Sequence, residues 1–386
     1  MSKKTKDLDY LAMSAMLRAR EANMLGRDRM DRMLAAGSYA EAAKLLAECG
    51  YEDLSGADAA GIDAALTKHR NEIFAELAGM APQPEVVDIF RLKYDYHNIK
   101  TLVKAAGANV SGDRLLSGSG RVAPEKLKAA VEEDSLSSLP ADMARAYEEA
   151  RSVLARTGNP QLADFELDAA YFAELLRLAE ATGSDFIKGY VRTMIDSANL
   201  RAAVRTVRMG KDRDFMLTAL VPGGFADRDI LAAAAESGDG LAAVFASTCL
   251  EHAAALGAEA MKGGSLTDFE LECDNAVSAY LSQAKTKPFG IEPAAEYLAL
   301  LESEITAARM ILTGRLAGIE PEVIRERLRD INAKNSRSGR PRHGHGLQGP
   351  RPGRVPRLRS RGGQGDLPSP HEGVGRGIRH HLRRGE

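Results

Sequence analysis

Along most of this chain apolar residues recur every three or four positions, with polar residues between them. Residues 94–106 show the pattern plainly. Tyr96, Ile99, Val103 and Ala106 fall on one face of a helix, and Asp95, Asn98 and Leu102 on another. Few stretches alternate apolar and polar residues as a half-buried strand would. The pattern therefore predicts an all-α protein. Breakers divide the helices. Ala81-Pro82-Gln83-Pro84 excludes helix ahead of residue 85. The stretch from Gly107 to Gly120, with Gly112 and Gly118, reads as a polar connection, and Val221-Pro222-Gly223-Gly224 as a turn. Ser265-Leu266-Thr267-Asp268 reads as a helix start with Thr267 or Asp268 as its cap.

Composition agrees with this reading. Of 386 residues, 44% are hydrophobic and 5% aromatic, and there is no Trp. Ala and Leu dominate, and Glu, Lys, Arg and Met are frequent, as in helix-rich proteins. The length allows two or three domains. No run of eighteen apolar residues exists, so no membrane-spanning helix is implied. The N-terminus is basic and then amphipathic, and Arg18, Arg20 and Glu21 interrupt any signal core, so no secretion signal is read. Cys49, Cys249 and Cys273 are far apart and odd in number, which fits a reduced, cytoplasmic setting better than a disulfide framework.

Self-similarity carries the architecture. Asp164-Phe165-Glu166-Leu167 recurs as Asp268-Phe269-Glu270-Leu271, 104 residues later. Asp95-Tyr96-His97-Asn98-Ile99-Lys100 recurs 101 residues on as Asp196-Ser197-Ala198-Asn199-Leu200-Arg201. A weaker copy, Glu304-Ile305-Thr306-Ala307-Ala308-Arg309, follows after a further 108 residues, with Ala307 in place of Asn. Two tags in the same order at one period predict three helical repeats, near residues 8–110, 111–215 and 216–333. Each is large enough for its own small core. Asp and Asn are poor interior helix formers because they compete for backbone hydrogen bonds. Their recurrence predicts a polar lock between helices; a proton path or ligand site is the alternative. Repetition favours the lock, since catalysis usually needs one site.

Signals for direct chemistry are weak. No G-x-x-x-x-G-K-[ST] occurs, and Met209-Gly210-Lys211 lacks the upstream glycine. Gly118-Ser119-Gly120 follows no expected strand, so it is a weak dinucleotide signal. His69, His97 and His252 stand singly on expected helices, and no Cys-x-x-Cys or His-x-x-x-His exists. No catalytic residue, metal or cofactor is expected.

The residues DIFRLKYDYHNIKTLVKA, 88–105, resemble a signature of the C-subunit family of V-type and A-type rotary ATPases, whose vacuolar members are called d subunits. The matching positions are Tyr94, Asp95, Asn98 and Lys100. Tyr10, Arg18, Glu21 and Leu25 resemble the family's opening helix, and TALVPGGF at 218–225 is similar to another of its segments. Phe289-Gly290, Tyr297, Glu302, Glu304, Arg309 and Gly314 resemble its last motif. The resemblance covers about residues 8–330. It implies three similar helical domains in a funnel, seated on the membrane rotor ring and receiving the central shaft subunits. It implies a non-catalytic coupling role in a V/A-type ATPase that moves protons or sodium. The chain would be a monomer within a larger complex, peripheral on the cytoplasmic face of the membrane. A generic helical scaffold is the rival reading, but solenoid repeats are shorter than the period seen here.

The end of the sequence differs in kind. From Lys334 to Glu386 there are 13 Lys+Arg against 3 Asp+Glu, a net of +10, which leaves the remaining residues at −12. This stretch holds 12 Gly, 6 Pro and five of the eight His, and it is expected to be disordered. An Arg/Gly nucleic-acid-binding arm is an alternative function, weakened by the lack of interleaved aromatics. The His residues, His343, His345, His371, His380 and His381, match no defined metal spacing. The better expectation is out-of-frame translation of GC-rich DNA. A one-base shift from Lys334 permits a peptide resembling the start of the small α/β stalk subunit often encoded nearby. No nucleic-acid partner is expected.

Overall fold

A computed structural model describes residues 5–237 and 240–328. The expected disorder and frameshift of residues 334–386 lie outside this range. Among the described residues every regular element is a helix, and no strand occurs. The α-helices are α1 Leu11–Glu21, α2 Arg27–Ala35, α3 Tyr39–Ala47, α4 Ala59–Met80 and α5 Glu85–Ala108. Then come α6 Pro124–Glu132, α7 Ala141–Thr157, α8 Pro160–Thr182, α9 Asp185–Arg208, α10 Arg213–Ala219 and α11 Arg228–Ser237. The last are α12 Leu241–Val244, α13 Glu251–Met261, α14 Leu266–Leu281, α15 Ile291–Leu316 and α16 Pro321–Arg325. No described helix is long and apolar enough to cross a membrane.

Local chemistry sets the helix starts. Asp58 accepts from the Gly61 N–H, Ser184 from Ile187 and Asp212 from Phe215. Pro124, Pro160 and Pro321 stand in first turns, where their missing N–H costs no helical bond. Two expectations need correction. Ser265 caps α14 by accepting from the Asp268 N–H at 3.1 Å, so neither Thr267 nor Asp268 is the cap. Gly107 lies inside α5 and does not begin the connection. A Cβ there would stand 2.5 Å from Cδ2 of Leu154, so this glycine admits a neighbouring helix.

Helices α5, α9 and α15 are the three longest, and they carry the three tags. Each buries both polar and apolar positions. In α5, Tyr96, Ile99 and Val103 are buried, and so are Asp95 and Asn98. A helix buried on several sides needs partners on several sides. Helix α5 packs on α7 and α8, and α9 packs on α8, α13 and α14. Helix α15 packs on α14 and α5, and also on α1 to α4, so the two ends of the described chain build one packing unit. Salt links reinforce that closure. Arg18 on α1 donates to Glu296 at 2.8 Å and to the carbonyl of Ala284 at 2.9 Å.

The apolar interior falls into two clusters. The larger joins residues from α1–α5, α7–α9 and α15, and the smaller surrounds the C-terminal half of α9, from Leu200 to Ala276. Helix α9 therefore contributes Ile195 to one and Leu200 to the other.

Candidate functional site

The first tag is a clamp on the chain that follows it. Oδ1 of Asp95 accepts from the backbone N–H groups of Arg121 at 2.8 Å and Val122 at 3.1 Å. Oδ2 accepts from Nε of Arg121 at 2.7 Å. One turn on, Asn98 pairs with Ser117 in both directions. Its Nδ2 donates to the Ser117 carbonyl at 2.8 Å, and its Oδ1 accepts from the Ser117 N–H at 2.7 Å. An amide side chain is suited to this because it holds a donor and an acceptor side by side. The backbone partners belong to the buried or half-buried residues Ser117, Arg121 and Val122, and their bonds to the helix replace bonds to water.

The second tag repeats the geometry. Asp196 accepts from the N–H groups of Phe225 and Ala226, both at 3.1 Å. Asn199 pairs with Val221 in both directions at 2.8 Å. In each clamp a glycine precedes the held peptide. A Cβ on Gly120 would lie 2.2 Å from Oδ1 of Asp95, and one on Gly224 would lie 2.1 Å from Oδ1 of Asp196.

The third tag uses a distant partner. Glu304 accepts on Oε2 from the backbone N–H of Leu25 at 2.8 Å, and on Oε1 from the hydroxyl of Tyr51 at 2.6 Å. The clamped loop thus lies near the N-terminus and not after α15. Ala307 has no amide to offer. Arg29 instead covers the loop carbonyls, donating from Nη1 to Asn23 at 2.7 Å and to Met24 at 3.1 Å.

The three acids differ in electrostatic setting. Burial pushes all three carboxyls up. Arg121 opposes burial at Asp95, and Tyr51 and the Leu25 N–H oppose it at Glu304. Asp196 has only two backbone donors and a more distant Arg192, and its pKa is pushed up to about 6.

The base of each tag joins its helix to another. Lys100 pairs with Asp168 on α8 at 2.6 Å, Arg201 with Asp274 on α14, and Arg309 with Asp63 on α4 at 2.7 Å. One turn on, Lys104 pairs with Asp164 and Arg205 with Glu270. These ladders equate Asp168 with Asp274 and Asp164 with Glu270. The Asp-Phe-Glu-Leu recurrence is therefore two residues out of structural register. Burial agrees, because Ala163 and Leu167 of α8 match Phe269 and Cys273 of α14 as core positions.

Tyr94 stands apart from the clamps. Its hydroxyl donates to Glu302 on α15 at 2.6 Å, and the Arg70 guanidinium lies 4.5 Å from its ring centre. Burial and the Glu302 carboxylate push its pKa up. Of the nine sequence-selected residues, Asp95, Asn98, Lys100, Asp196, Asn199, Arg201, Glu304 and Arg309 make three separate clamps with their braces, and Tyr94 lies outside them. They do not converge on one reactive centre. Sequence reasoning missed Arg121, which also bonds the buried Glu174 at 2.8 Å; Glu174 in turn accepts from Tyr96. Gly120 and Gly224 were visible only as breakers.

Between the tag helices lies a cavity of about 260 Å³. Lys93 of α5, Met194 of α9 and Glu302 of α15 all line it, and each stands two residues before its tag acid. Phe90 and Tyr190 stack across it with ring centres 5.9 Å apart. A second cavity, about 460 Å³, gathers the chain before or at the start of the same helices, with Gln83, Ser184 and Ile291 in its wall. Gln83 donates to the Thr182 carbonyl at 3.0 Å there. The three tag helices therefore begin close together and share a cavity further along.

Single histidines and cysteines are occupied or scattered. His97 meets the Leu115 carbonyl at 2.8 Å, His252 meets Glu272 at 3.0 Å, and His69 packs on the ring of Tyr51. The cysteines are unpaired by disulfide, and no three of His, Cys, Asp or Glu group to hold a metal among the described residues.

Among the described residues the chain is all-helical, and three long helices that each carry a buried acid clamp line a shared cavity. The family described as ATP synthase (C/AC39) subunit matches residues 13–327, and the chain belongs to it. Similar proteins include the C subunit of the V-type sodium ATPase of Enterococcus hirae, 24% identical over 84% of this chain and 99% of the relative. The C subunit of the A-type ATP synthase of Methanocaldococcus jannaschii is 24% identical over 83% of this chain and 86% of the relative. The C subunit of the V-type ATP synthase of Thermus thermophilus is 23% identical over 57% of this chain and 69% of the relative.

Proposed function

We propose that this chain is the non-catalytic adaptor of a V/A-type rotary ATPase, joining the central shaft to the membrane rotor ring. The observation that carries the reading is the shared cavity between three long helices, each held by the same kind of clamp. A part that transmits torque must resist shear without unfolding. Clamps on buried backbone, closed between both ends of the described chain, suit that load. Family membership supports a place in the ATPase complex, and the relatives include parts of a sodium ATPase and of ATP synthases.

On this reading the repeats near residues 8–110, 111–215 and 216–333 are three copies of one plan. The tag residues serve as packing locks and not as a proton path, since each tag acid accepts from defined donors. The chain works as a monomer within the complex, on the cytoplasmic face of the membrane, and the ring sets the coupling ion. Co-purification of the full chain with separately purified shaft and ring subunits tests the reading. Capture of both supports it, and capture of neither by a folded, helical chain contradicts it.

A further inference from the structure

The cavity shared by α5, α9 and α15, about 260 Å³, has an aromatic wall that the clamps do not use. Phe90, Phe172 and Tyr190 line it and are buried, and Tyr171 and Met194 line it as well. Tyr190 is only 6% exposed, and its hydroxyl makes no hydrogen bond with any described residue. That oxygen is not among the partnerless polar atoms that are sealed from solvent, so a ligand can reach it. The ionisable groups that act on it, Tyr171 and Glu302, both line the cavity, which sets the hydroxyl on the cavity side. Burial pushes its pKa up, so it stays a neutral group that can donate and accept.

A buried tyrosine hydroxyl usually finds a partner, and those of Tyr51 and Tyr96 donate to Glu304 and Glu174. The hydroxyl of Tyr190 is left for something that enters the cavity. The space exceeds the roughly 150 Å³ that accepts a benzene-sized guest. Aromatic walls favour a ring, through offset or edge contacts, and the thioether of Met194 adds to them. The charged side chains of the wall neutralise one another, Lys93 with Glu302 and Arg201 with Asp274, so an ion gains no net attraction there.

We infer that this cavity binds a neutral aromatic ring that carries a hydroxyl, hydrogen-bonded to Tyr190. The inference does not depend on the proposed coupling role, since the chain alone should bind. The source of the ring is either a free phenol or a tyrosine side chain of a partner protein.

The probe is p-cresol, titrated with the full chain and followed by NMR of the ligand, with toluene as the control that lacks the hydroxyl. Saturable binding of p-cresol is expected, about threefold or more tighter than toluene, the share of one neutral hydrogen bond. Tyr190→Phe removes a single oxygen; it should keep toluene binding and lower p-cresol to the same level. Met194→Trp narrows the cavity and should abolish binding of both. Should that variant lose its helical signal, Tyr190→Phe carries the test alone. A further arm adds purified shaft subunits. Displacement of p-cresol by the shaft points to a tyrosine source, and undiminished binding points to a free phenol; both support the site. Absence of saturable binding, or an unchanged preference for p-cresol over toluene in Tyr190→Phe, overturns it.

Discussion

Gly224 stands so close to Asp196 that a Cβ on it would lie 2.1 Å from the carboxylate Oδ1. The clamp works because the held peptide can approach the helix without a side chain. Gly224→Ala should therefore push the loop from its two N–H bonds to Asp196. The expected loss is about 2–4 kcal/mol, the range for breaking a buried hydrogen-bonded contact with strain. Gly120→Ala should behave alike. Gly50, with nothing near its Cβ position but a positive φ, should cost only about 1 kcal/mol on the same change. Urea unfolding measures all three, and equal losses would contradict the steric account.

Asn98 and Asn199 each satisfy one backbone N–H and one C=O. Asn199→Ala leaves both groups of Val221 unpaired, at about 2–4 kcal/mol. Asn199→Asp keeps the acceptor but sets an oxygen against the Val221 carbonyl, so it should be no less damaging near neutral pH. Ala307→Asn should gain nothing, because Arg29 already covers the matching loop carbonyls. Chemical denaturation of the three variants checks the ranking.

The Asp196 carboxyl is pushed up to about 6 from an ordinary value of 3.8 by burial, opposed by the Ala226 and Phe225 N–H groups and by Arg192. The folded state thus holds a proton that the unfolded chain has released. Its contribution is full below the unfolded value and is lost as pH rises through the folded one. At 1.36 kcal/mol per pH unit, about 3 kcal/mol is at stake between the two. Relative to Asp196→Asn, the wild type should therefore gain stability as pH falls from 7 to about 4. Unfolding curves of the two that stay parallel over this window would contradict the burial.

The braces and the closing clamp should separate cleanly in size. Arg309 is more than a third exposed and pairs with the more exposed Asp63, so Arg309→Ala should cost less than about 1 kcal/mol. Glu304 is buried and holds Leu25 and Tyr51. Glu304→Ala should cost about 2–4 kcal/mol by leaving those donors unpaired. Thermal unfolding at moderate salt distinguishes them, and a larger loss at Arg309 would reverse the assignment.

The tags were readable because Asp and Asn in helix interiors are out of place and their offsets recur. Helix content and the breaks at Pro82–Pro84 and Pro222–Gly224 were readable for the same reason, as local chemistry. What the tags hold was not readable. Ser117 and Val221 differ in kind although a glycine follows each three residues on, because the contact at those positions is to backbone and any residue can supply it. Leu25 lies 279 residues from Glu304, beyond any periodicity. The Asp-Phe-Glu-Leu recurrence gave the right helices in a register two residues off. Lys104 meets Asp164 where Arg205 meets Glu270, so charge ladders and not identity set that register.

The central proposal is that the chain binds the shaft, with the surface where α5, α9 and α15 meet over their shared cavity taking part in the contact. The most direct test is the affinity of the full chain for purified shaft subunits, measured for wild type and for Met194→Trp. Met194 lines that cavity and lies outside all three clamps. The account expects tight capture by wild type and at least a tenfold loss in the variant, about 1.4 kcal/mol, with helical content unchanged. Unaltered affinity in a folded Met194→Trp protein would place the shaft elsewhere and contradict the claim.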